Sequence, residues 1–278
     1  MPALISISPH INYDDFTSKV YKETFKSFNN DEIWGVRKVC IENLPQLVKF
    51  LKPDDKEKLN ECVDFFKRCL NDSNRWVKNQ ALIQFGPLIN NLYEKKANLT
   101  DMIEKLCKIY YDMKLINPGG TSSENESELD NDCSFMATKG DDLDKVKYYW
   151  AFNMPCALLV NQGTNFWKDH AKQFYELLYK DILLNVRTTM SSSFKEIIEL
   201  LKIEAMNEED RKFFVDVLNH YLKDTVEIQA KVLPTLCKLI SKFPDSEKQE
   251  LLESLIKTKI EAIKNMKNVR DNMVKMME

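Results

Sequence analysis

One short pattern recurs along the chain and sets a period that few folds accommodate. Asp, four residues, Val, then Arg or Lys reads D-E-I-W-G-V-R at 31–37, D-S-N-R-W-V-K at 72–78, D-D-L-D-K-V-K at 141–147 and D-I-L-L-N-V-R at 181–187. Two looser copies follow, D-T-V-E-I-Q at 224–229 and N-V-R at 268–270. The Val (or Ile228) falls at 36, 77, 146, 186, 228 and 269, giving steps of 41, 69, 40, 42 and 41 residues. A constant step of this length marks a tandem array, in which each unit buries its apolar face against its neighbours.

Each unit reads as two helices. Four and eight residues after the mark stand Cys40 and Leu44, Ala81 and Phe85, Trp150 and Met154, Met190 and Phe194, Val232 and Leu236, Met273 and Met277. All are apolar, as one helix face requires. A partner helix precedes each mark, with stripes such as Leu59, Cys62, Val63, Phe66, Cys69, Leu70 and Phe213, Phe214, Val217, Leu218, Tyr221, Leu222. Asn29–Asn30, Asn71–Asp72 and Lys223–Asp224 supply short polar turns, so the two helices run antiparallel. The expected fold is all-α: a right-handed α-α superhelix of about six helix pairs forming a single domain over 1–278. The units span approximately 11–52, 54–96, 99–162, 164–204, 207–243 and an incomplete 245–278. The long step is explained by an acidic, apolar-poor insertion at 113–140, which reads as a disordered loop. Only 6 glycines are present, too thin a supply for folds built around phosphate-binding turns.

The Asp is expected to cap the second helix, and the base six residues on to reach the Asp of the next unit. This gives a ladder of Asp31, Arg37, Asp72, Lys78, Asp141, Lys147, Asp181 and Arg187 that fixes the offset between units. Pro45, Pro87 and Pro155 fall nine or ten residues after the mark and are expected to bend the second helices.

Helix pairs of 40–42 residues with D-x4-V-[RK] resemble HEAT and armadillo units, the HEAT pattern in particular. The runs Y-W-A-F-N-M-P-C-A-L-L-V-N-Q-G-T-N-F-W at 149–167 and L-L-N-V-R-T-T-M-S-S-S-F-K-E-I at 183–197 are similar to the HEAT region of the protein phosphatase 4 regulatory subunit 1 family. That family is related to the scaffolding A subunit of protein phosphatase 2A, and the similarity is best over about 140–245. Its members are usually longer than this chain. The resemblance implies a non-catalytic regulatory or scaffolding subunit that binds a serine/threonine phosphatase catalytic subunit of type 4 or 2A, with further regulatory subunits as additional partners. It also implies that the turns within each unit form the gripping ridge. Asn30, Trp34, Arg75, Trp76 and Asn185 lie at those turns. An aromatic beside an Arg at an exposed turn has the composition of a binding hot spot, although the same Trp could plug the gap to a neighbouring unit.

No catalytic constellation is expected. The chain lacks H-E-x-x-H, G-x-x-x-x-G-K-[ST], G-x-S-x-G and G-x-G-x-x-G, and its three His stand on different units. The sequence calls for no cofactor or metal. Its seven Cys include no C-x-x-C and read as buried hydrophobes. The formal charge of −3 argues against a general affinity for nucleic acid. The remaining alternative, a transport receptor or nucleic-acid-associated adaptor, would use Arg37, Lys38, Lys78, Lys147 and Arg187 as a basic stripe. Met1–His10 carries no secretory pattern, and the longest charge-free run, Tyr148–Trp167, is too polar for a bilayer, so a cytoplasmic or also nuclear protein is expected. Thr121, Ser123 and Ser127 each precede an acid by three residues, a pattern shared by acid-directed kinase sites and capping boxes.

Overall fold

A computed structural model describes residues 2–95, 99–112, 140–236 and, with gaps, 240–257. Of the insertion expected at 113–140, residues 113–139, with Thr121, Ser123 and Ser127, lie outside the described residues, as does the sixth unit beyond 257, while Gly140 begins a helix. Among the described residues every regular element is helical and no strand occurs. The order is α1 (Pro2–Ile7), α2 (Tyr13–Asp15, Phe16–Phe25 and Lys26–Phe28, its middle part wound as π-helix), α3 (Trp34–Phe50), α4 (Lys56–Leu70) and α5 (Arg75–Glu94). It continues with α6 (Thr100–Tyr110), α7 (Gly140–Val160), α8 (a π-helical Trp167–Ala171 leading into Lys172–Tyr179), α9 (Leu184–Leu201), α10 (Glu208–Lys223) and α11 (Val226–Val232). Each recurrent Val or Ile in this range falls in α3, α5, α7, α9 or α11.

Residue contacts divide the chain into two compact units, Met1–Phe174 and Tyr175–Glu278, the division falling inside α8. In the first, α3 packs on α5 and α5 on α7, each second helix lying against that of the next repeat. The first helices pack on second helices, α4 on its partner α5, and α6 both on its partner α7 and on α5 of the preceding repeat. In the second, α9 packs on α11, and α10 covers α11.

The periodic apolar faces form these contacts. Cys40, Leu44, Ala81, Phe85, Trp150, Met154, Met190 and Phe194 are buried, as is the whole α4 stripe from Leu59 to Leu70. Burying such side chains stabilises each by roughly 1.5–3 kcal/mol. Rings link successive helices of the first unit. Phe25 meets Phe65 edge-on at 5.3 Å, Phe85 stacks on Tyr110 at 3.6 Å, and Trp150 meets Phe174 at 5.1 Å. In the second unit Phe194 meets Tyr221 at 5.3 Å and Tyr175 meets Phe214 at 5.7 Å.

Pro45, Pro87 and Pro155 sit inside α3, α5 and α7 without ending them. Neighbouring repeats supply donors to backbone carbonyls near Pro45 and Pro87. Asn91 Nδ2 donates to the Pro45 carbonyl at 2.8 Å, and the Lys95 ammonium donates to the Lys49 and Leu51 carbonyls. Buried Asn153 donates to Tyr110 Oη at 2.8 Å and to the Leu82 carbonyl at 3.3 Å. Gly86 is required beside it, since a Cβ there would stand 2.6 Å from Asn153 Oδ1. Among the described residues no helix is long and apolar enough to cross a membrane.

Candidate functional site at the intra-repeat turns

The turn before the second helix takes the same form at Asp31, Asp72 and Asp181, whereas Asp224 bonds the amide of the next residue, Thr225, the N-cap of α11, at 2.6 Å. Asp31 does not cap α3. The N-cap of that helix is Ile33, and Asp31 Oδ1 accepts the Ile33 amide at 2.8 Å. Asp72 accepts the amide of Asn74, the N-cap of α5, at 2.8 Å, and Asp181 accepts that of Leu183, the N-cap of α9, at 2.9 Å. The expected helix cap is therefore a turn two residues upstream, in which the carboxylate bonds an amide two residues on. The physical reason is geometric: a carboxylate placed before the N-cap closes the turn with one oxygen and keeps the group facing sideways.

In both units that sideways face meets an arginine. In the first, Arg37 donates from Nε and Nη2 to the Asp72 carboxylate at 2.7 and 2.9 Å, and from Nη1 to its own repeat's Asp31 and Glu32 carbonyls at 2.7 and 3.0 Å. In the second, Arg187 reaches Asp224 at 2.7 and 3.1 Å and the carbonyls of Asp181 and Ile182 at 2.7 and 3.0 Å. One planar cation thus ties its own turn to the next, a geometry that a lysine ammonium does not reproduce. Gln229, one residue closer to its Asp, keeps the inner bond, donating to the Asp224 carbonyl at 2.8 Å.

Electrostatics follow from this geometry. Burial alone would push the Asp72 and Asp224 carboxyls up. The hydrogen bonds from Arg37 and Arg187, with those from the Asn74 and Thr225 amides, more than offset it and hold both carboxyls below their ordinary value. Lys78 lies close enough to Asp72 to lower it further. Lys147 and Asp181 both take part in interactions. Asp141 falls in the first turn of α7, and its side chain lies outside the described residues.

With the ladder facing inward, the flanking side chains of the turns point to solvent. In the first unit Asn30, Ile33, Trp34, Arg75 and Trp76 are exposed, Trp34 at 44% and Trp76 at 47%. Asn74 accepts the Trp76 amide at 2.9 Å, which fixes the backbone of the turn, and the Arg75 guanidinium lies over the Trp76 ring at 4.9 Å. Neither Trp fills a gap in the core, in contrast to fully buried Trp150. In the second unit Leu184 and Asn185 are exposed, and the apolar side chains of Ile182 and Val226 stand 89% and 81% exposed. Asn185 Oδ1 accepts the Val186 amide at 2.9 Å. The apolar turn residues Ile33, Ile182 and Val226 were not singled out from sequence. Their signal was available: a β-branched residue immediately beside the Asp turn has no core face to occupy.

Among the described residues no three His, Cys, Asp or Glu side chains are grouped as metal ligands would be. Compared with known proteins, the chain matches no family model and no curated protein.

Proposed function

We propose that the chain forms a right-handed α-α superhelix of about six HEAT-type helix pairs. We further propose that it serves as a non-catalytic regulatory or scaffolding subunit for a serine/threonine phosphatase catalytic subunit of type 4 or 2A. The observation that carries the reading is the exposed, cation–π-paired Arg75 and Trp76, with Trp34 at the turn that Arg37 ties to it. A Trp and an Arg paired on an exposed turn have the chemistry of an interface anchor, and burying such an indole gives several times the gain of an ordinary surface residue. The resemblance of 149–167 and 183–197 to the phosphatase 4 regulatory family supplies the partner class. The partner brings the catalytic metals, and the repeat array sets where its active site stands relative to substrates. Further regulatory subunits would occupy turns that the catalytic subunit leaves open.

Two of the five residues of the alternative basic stripe, Arg37 and Arg187, are engaged by Asp72 and Asp224, which disfavours the nucleic-acid adaptor. Affinity purification of the tagged full chain from native extract at mild salt, read by quantitative mass spectrometry, tests the proposal. Enrichment of a type 4 or 2A catalytic subunit is expected. Its consistent absence, or recovery of nucleic acid and its carriers instead, would overturn it.

A further inference from the structure

The two described ladder turns share one framework but differ in what surrounds it. In the second unit an open cleft of about 530 Å³ lies beside the Arg187–Asp224 pair, lined by Lys180, Asp181, Ile182, Arg187, His220, Lys223 and Asp224. That volume falls in the range of ligand-sized clefts. Both carboxylates are already committed, Asp224 to Arg187 and Asp181 to the Leu183 amide. Lys180 and Lys223 are exposed on either side. Lys180 holds a surface pair with Glu176 at 3.1 Å, both groups about half exposed, and lies over the Tyr179 ring at 5.7 Å; such a surface pair exchanges readily with solvent or ligand.

The corresponding positions around Arg37–Asp72 in the first unit carry Asn30, Glu32, Arg68 and Asn71 in place of Lys180, Ile182, His220 and Lys223. There two cations (Arg37, Arg68) face three carboxylates (Asp31, Glu32, Asp72). In the second unit three cations (Lys180, Arg187, Lys223) face two (Asp181, Asp224), besides His220. The ladder bonds have the same partners in both, so the ladder does not require the lysines or the exposed isoleucine. Over these matched positions the balance shifts from one excess carboxylate to one excess cation around an unchanged framework, with the exposed Ile182 among them.

We propose that this cleft docks an extended acidic segment of a partner protein, with carboxylates at Lys180 and Lys223 and an apolar side chain over Ile182. The site needs no phosphatase partner, so its test and the co-purification above fail independently.

Fluorescence anisotropy of the full chain with a labelled Asp-Glu-Leu-Asp-Glu-Asp peptide at low salt measures it directly. Saturable binding is expected, weakened on the order of tenfold by Lys180→Glu/Lys223→Glu and retained by Lys180→Arg/Lys223→Arg. Loss of Ile182 to Ala should cost several-fold at unchanged salt dependence. Unchanged affinity in the double Glu variant with intact far-UV circular dichroism would overturn the proposal. So would equal binding of an Asn-Gln-Leu-Asn-Gln-Asn peptide, or no binding of the acidic peptide at millimolar concentration. Tighter, equally lysine-dependent binding of a duplex RNA probe would replace the acidic peptide by nucleic acid and also overturn it.

Discussion

Removing the Arg187 side chain leaves the largely buried Asp224 carboxylate and two turn carbonyls without their donor, and Arg37 stands in the same relation to Asp72. Arg187→Ala should therefore cost about 1–3 kcal/mol in urea unfolding, more than an exposed ion pair would. Arg187→Lys should recover only part of it, because an ammonium does not span both oxygens. The pH dependence has a definite sign. Asp72 and Asp224 are held below the ordinary aspartate value of 3.8, so folding favours their charged forms. Their contribution is full above that value and disappears as pH falls through the lower folded one. The double variant Arg37→Ala/Arg187→Ala should lose less stability than wild type on acidification below pH 4; an identical acid limb would contradict the ladder. The thiols give a separate check. Burial pushes Cys40 up to about 11 and Cys107 up to about 12, and raises Cys62 and Cys69 as well. Iodoacetamide labelling of these four, followed by peptide mass spectrometry, should occur only at the rate of unfolding, whereas rapid labelling of the native chain would show that they are accessible.

Within the helices, the close approach of α5 and α7 depends on Gly86 lying beneath Asn153, whose amide is fixed by Tyr110 and the Leu82 carbonyl. Gly86→Ala should cost about 1–3 kcal/mol through overpacking. Asn153→Ala should relieve part of that cost, so the two changes together would destabilise by less than their sum. Strict additivity in thermal or urea melts would contradict the contact. The pairing of helices was legible in the sequence because Leu59, Cys62, Phe66 and their counterparts repeat at helical spacing and at a fixed step. The Asn153–Tyr110 bond was not, because its partners are 43 positions apart and the insertion intervenes. The Asp turn was misplaced by two residues, since an Asp near a helix start looks the same whether it bonds the first-turn amides or closes the turn before them. The π-helical stretches Phe16–Phe25 and Trp167–Ala171 shift the apolar register by about one residue, less than a sequence pattern resolves.

At the scale of the molecule, the ladder and the turn decoration are two separate sets of side chains. The Arg–Asp pairs join successive turns, and the exposed side chains beside them are the ones proposed to meet other proteins. Candidate contact residues Trp34, Arg75 and Trp76 could be read from sequence because Trp and Arg are conspicuous at a polar turn. The cleft around Lys180 and Lys223 could not, because its walls come from two successive turns and its meaning lies in the contrast with Asn30 and Asn71. The most direct measurement uses purified phosphatase catalytic subunits of types 4 and 2A, titrated against the full chain and against Trp34→Ala/Trp76→Ala. Saturable binding to one of them is expected, weakened roughly 30-fold or more in the double variant at unchanged thermal stability, as loss of hot-spot residues requires. No binding to either subunit, or equal affinity for wild type and double variant, would contradict the account.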